Sequence, residues 1–105
     1  MKIPYHKLVR DRIPEIITAK GHTCVTRILD EEEYLEMIDA KLDEELAEYR
    51  RERTIEELAD LMEVIYAAAE AGGCSRQDLE QIRAKKAASR GAFRNRILLL
   101  EVSDE

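Results

Sequence analysis

A chain of 105 residues has room for one small domain spanning residues 1–105, and a short helical arrangement of that size leaves much apolar surface uncovered. A formal charge of −6 argues against nucleic acid as the main partner, because phosphate backbones demand a basic face. No apolar run approaches membrane-spanning length, the start MKIPYHKLVRDR lacks the apolar centre of a secretory leader, and Cys24 and Cys74 have no CxxC spacing, so a reduced cytoplasmic protein without a membrane partner is expected.

Residues 1–11 read as an ordered, irregular arm carrying Lys7 and Arg10. Asp11 is a candidate N-cap for a short helix over roughly 12–20, where Pro14 is tolerated in the first turn and Gly21 ends it. The β-branched stretch 23–29, TCVTRIL, predicts a short strand. Its natural partner is RILLLEV at 96–102, and two strands alone are marginal, so the pair must lie on the helices or on another subunit. Asp30 then caps a long helix over about 31–52. Thr54, with Glu57 three residues on in capping-box spacing, starts a second helix that runs to Gly72-Gly73. Ser75 opens a fourth helix, closed by Gly91. The fold class expected is mainly α: a helical hairpin of four-helix-bundle type with a short two-stranded element.

The hairpin carries the chemistry. Glu45 and Glu48 form one pair three apart on the first long helix, and Glu57 and Asp60 form another on the second. Leu35, Ile38, Leu42, Leu46 and Tyr49 make the apolar stripe of the first helix, and Glu45 falls inside it. Glu57 lies between the directions of Leu61 and Val64, again within the apolar arc. Two carboxylates ~5 Å apart at an effective dielectric of ~20 repel by roughly 3 kcal/mol. Four of them aimed at one partly buried volume need a cation, and an all-oxygen ligand set favours Mg²⁺ first and Mn²⁺ second.

Fourteen of the 23 acidic residues lie in 30–60, whereas 81–100 holds six Lys or Arg and no acid, which suits a metal-bound polyphosphate better than a membrane. The small-residue face of Val64, Ala67, Ala68 and Ala71 invites close approach of another helix, so a homodimer or a dimer of dimers is expected.

EExxE followed by ExxD on two antiparallel helices resembles the MazG-like all-α nucleoside triphosphate pyrophosphohydrolases. KLVRDRIPEII and KKAASRGAFRNRILL look like a short phosphoribosyl-ATP pyrophosphohydrolase-like branch of that superfamily. The resemblance implies metal ligands at Glu45, Glu48, Glu57 and Asp60, and cleavage of a nucleotide between its α- and β-phosphates. It also implies that a carboxylate of the same shell, Glu48 or Glu45, handles the attacking water. Lys86 and Arg90 match the family's phosphate-binding bases in the last helix, with Lys7 and Arg10 closing from the arm. Where many relatives place an Asn for sugar or base, only Ser89 lies nearby. Alternatives are the histidine-pathway enzyme acting on phosphoribosyl-ATP, or a non-catalytic helical dimerisation module. A di-iron bundle would require Glu-x-x-His pairs, and neither long helix contains His.

Overall fold

The computed structural model describes residues 2 and 5–104; the remainder of the expected arm, residues 1, 3 and 4, and residue 105 lie outside the described residues. Four helices follow one another: α1 (Ile13–Ala19), α2 (Glu31–Glu52), α3 (Ile55–Ala71) and α4 (Arg76–Arg90). The protein is mainly helical, and none of its helices is long and apolar enough to cross a membrane.

The ends of the long helices are set by single residues. Asp30 accepts from the Glu33 amide at 2.9 Å, Thr54 from the Glu57 amide at 3.4 Å, and Ser75 from the Asp78 amide at 3.0 Å. Between α2 and α3 the chain reverses through Arg53, which is left-handed at φ 57° and ψ 30°. Its amide donates to the Tyr49 carbonyl at 2.7 Å and its guanidinium stands 5.1 Å from the Tyr49 ring centre. These contacts offset the strain that a side chain meets in this region.

At α1 the structure corrects the expected start. Asp11 lies one residue too early, in a turn in which the Ile13 amide donates to the Arg10 carbonyl. Arg12 is the N-cap and makes no side-chain capping bond.

The largest correction concerns the β element. Among the described residues there is no strand: 23–29 and 96–102 carry no regular secondary structure and make no ladder, and Arg96 at the start of the second is left-handed at φ 54°. Both are thoroughly exposed, with Val25, Ile28, Ile97, Leu98, Leu100 and Val102 all more than three-quarters accessible.

Packing follows from this. α2 lies on α3, α4 touches α3, and Ile38 is the one fully buried aliphatic side chain among the described residues. The radius of gyration is 18.6 Å, against about 13 Å for a compact chain of this length. The molecule measures 66 × 31 × 22 Å, a long, thin body with many large apolar side chains uncovered.

Candidate metal centre

The two buried side chains of α2 are Ile38 and Glu45. Seven positions separate them, two helical turns, so both lie on the face turned to α3. Glu45 is only 7% exposed, and its Oε2 is buried without a hydrogen-bond partner. Across the hairpin, Glu57 Oε2 is likewise buried and unpartnered. Desolvation first, and then the Glu48 carboxylate, pushes both Glu45 and Glu57 above the usual carboxyl range.

Ligand oxygens of Glu45, Glu57 and Asp60 lie within 4.8 Å of one another, and so do those of Glu44, Glu45 and Glu48. Glu45 is common to both groups and stands at the centre of the cluster. All four sequence-predicted ligands are therefore brought together, with Glu44 added at the edge. The donor set is entirely oxygen, as Mg²⁺ and Mn²⁺ prefer. Oxygens around one Mg²⁺ stand about 3–4 Å apart, so the present spacing needs only a small contraction.

Capping explains how Glu57 reaches this cluster. Thr54 holds the Glu57 amide, which leaves the box half made: the Glu57 carboxylate does not return to the Thr54 amide and faces the other acids instead.

Three cations touch the cluster. Lys41, one turn before Glu45, places Nζ 3.4 Å from Glu45 and 3.3 Å from Glu44. Its spacing already marks it in the sequence as an i,i+4 partner of Glu45. From the arm, Arg10 donates to Asp60 Oδ1 at 2.7 Å and Lys7 to Glu44 Oε1 at 3.1 Å. Burial pushes Glu44 up, but the hydrogen bonds and charges of Lys7 and Lys41 outweigh it and hold it below its ordinary value. Lys7 is raised in turn by its bond to Glu44. A groove of about 250 Å³ runs between arm and hairpin, lined by Lys7, Leu8, Met37, Lys41 and Glu44.

Lys86 and Arg90 are not brought to the cluster. They are exposed on α4, which packs on α3 and not on α2, and among the described residues neither forms an ion pair. A wider depression of about 470 Å³ at the α3–α4 corner, lined by Cys74, Asp78, Ile82 and Lys85, is about 20 Å along α3 from Asp60.

The chain is 61% identical over 44 residues to an uncharacterised protein of Mycolicibacterium smegmatis. That stretch is 42% of this chain and 45% of the relative, so less than half of either is compared. No protein-family profile matches the chain, and no solved structure matches it.

Proposed function

We propose that the protein is a Mg²⁺-dependent nucleoside triphosphate pyrophosphohydrolase that cleaves the α–β phosphoanhydride with water, giving a nucleoside monophosphate and pyrophosphate. The observation that carries this is the pair of buried, unpartnered carboxylate oxygens on Glu45 and Glu57, facing one another from two helices. A buried charged oxygen without a partner is expensive to keep, and a hard divalent ion removes that penalty. The resemblance of EExxE and ExxD to the MazG-like enzymes supports the same reading.

Glu45, Glu48, Glu57 and Asp60 hold the ion. When bound, it neutralises phosphate oxygens and makes the attacking water more acidic. Glu48, next to Glu45 and half-buried, orients that water and takes its proton; Glu45 is the second candidate for this role. Lys7 and Arg10 compensate the acids now, through ion pairs that are exposed and therefore individually weak. A bound ion would take over the charge of Asp60 and so release Arg10 toward the phosphates of the substrate, while Lys7 would face them from its place beside Glu44. Lys86 and Arg90, which lie away from the centre within one chain, are assigned to the departing pyrophosphate through the proposed assembly, by compact charge and bidentate fork respectively. The chain works as a homodimer or a dimer of dimers in the cytoplasm, which its uncovered apolar surface supports. Phosphoribosyl-ATP is the alternative substrate, since the same centre would serve it.

The test has two parts. Mn²⁺ at about a hundredfold excess over its Kd should stabilise the wild type by about 2.7 kcal/mol, a melting shift on the order of 10 °C. Glu57→Gln should lose most of that shift, and an equal shift in both proteins removes the centre. Pyrophosphate release is then screened across nucleoside triphosphates and phosphoribosyl-ATP. With the substrate found, Lys86→Ala and Arg90→Ala should each lower turnover about ten- to a hundred-fold, with Arg51→Ala as control. Variants equal to the control would make that end of α4 a solvated face.

A further inference from the structure

We propose that the two irregular segments of one copy pair with those of a second, segment 96–102 of each chain lying beside segment 23–29 of its partner. The inference goes beyond the proposed activity and does not depend on it.

Three observations carry it. The first is surface. The chain exposes 9930 Å², whereas a compact folded protein of 12.1 kDa exposes about 6,000 Å². The excess, roughly 3,900 Å², exceeds the 1,000–2,500 Å² that each partner of an obligate dimer buries. The second is pattern. In a strand over 97–102, Ile97 and Leu99 would fall on one side, with Glu101 at its end, and Leu98, Leu100 and Val102 on the other. A strand apolar on both faces belongs in the middle of a covered layer, and here all five side chains are in solvent.

The third is backbone. Among the described residues no backbone hydrogen bond involves 23–29 or 96–102, so two seven-residue segments, both strand-forming in composition, have open edges in one chain. Two strands from one copy are too few to be stable, whereas two copies supply four. Reciprocal exchange also closes on itself through a twofold axis, so the association stops at two copies.

Native Cys24, exposed and in the first segment, gives the test a reporter. The full chain should sediment as a dimer at micromolar concentration. Leu98→Asp with Leu100→Asp should make it monomeric while its helical circular dichroism is retained. Exchange is read by mixing two variants: Cys74→Ser, which keeps Cys24, and a Cys24→Ser, Cys74→Ser chain carrying Ile97→Cys, Leu98→Cys, Leu99→Cys or Leu100→Cys. Disulfides between unlike chains can form only between copies. Mild oxidation should give them, by mass, most strongly at alternate positions of the four. A monomeric wild type overturns the proposal. So does a dimer indifferent to the two aspartates, or the absence of mixed disulfide above the Cys74→Ser background at all four positions.

Discussion

The hairpin and the two irregular segments both carry many apolar residues and end in opposite conditions. α2 and α3 find each other within one chain, across a turn of two residues, and enclose Ile38 and Glu45. Segments 23–29 and 96–102 lie about 70 residues apart in sequence and enclose nothing. The difference is one of loop closure: neighbouring helices meet with little chain entropy lost, while distant strands must be rewarded by a layer that one copy cannot supply. The hairpin is thus a local structure, and the flanks are apolar chain left uncovered.

The sharpest way to break that contrast is Ile38→Ala. As the fully buried aliphatic side chain of the hairpin, its loss should cost about 2–5 kcal/mol of stability in urea unfolding, at any protein concentration. Leu100→Ala in the irregular segment should stay within about 0.5 kcal/mol under dilute, monomeric conditions. Equal losses for the two would mean that the segments are packed within a single copy.

A smaller effect belongs to Thr54. Its hydroxyl satisfies the Glu57 amide, and Thr54→Ala should lower stability by about 1 kcal/mol. Because the cap fixes the helical turn that carries Glu57, the same variant should also weaken Mn²⁺ binding measured calorimetrically. A stability loss with unchanged Mn²⁺ affinity would detach Glu57 from the centre.

What could be read in advance divides along the same line. α2 matches the expected 31–52, and Thr54, Ser75 and the glycine stops fall where anticipated, because caps and helical periodicity act over three or four residues. The burial of Glu45 was legible for the same reason: it shares a stripe with Ile38. Asp11 misled because Arg12 could begin the helix with no side-chain cap at all. Arg10 on Asp60 spans 50 residues, and no local rule reports such a contact. The strand composition of 96–102 was recognisable, but composition does not say whose edge completes it.

The smallest effect tests the joint between the two regions. Arg27, in the irregular segment, grips Glu33 in the first turn of α2 with both arms of its guanidinium, at 3.0 and 2.8 Å. That bond, opposed by some desolvation and helped by the Arg27 charge, holds the Glu33 carboxyl at about 2, well below its ordinary value of 4.5. Between these values the unfolded chain binds the proton and the folded chain does not. The stability contributed is therefore fully present above about 4.5 and lost as pH falls toward 2. Both groups are exposed, so salt screens the pair and the contribution is small. Carboxyl-detected NMR should find Glu33 titrating far below the other exposed acids in the wild type and returning to the ordinary range in Arg27→Met. The return should also follow added salt in part. A Glu33 that titrates normally in the wild type would mean the irregular segment is not tied to α2, and its proximity to the hairpin would then rest on chain connection alone.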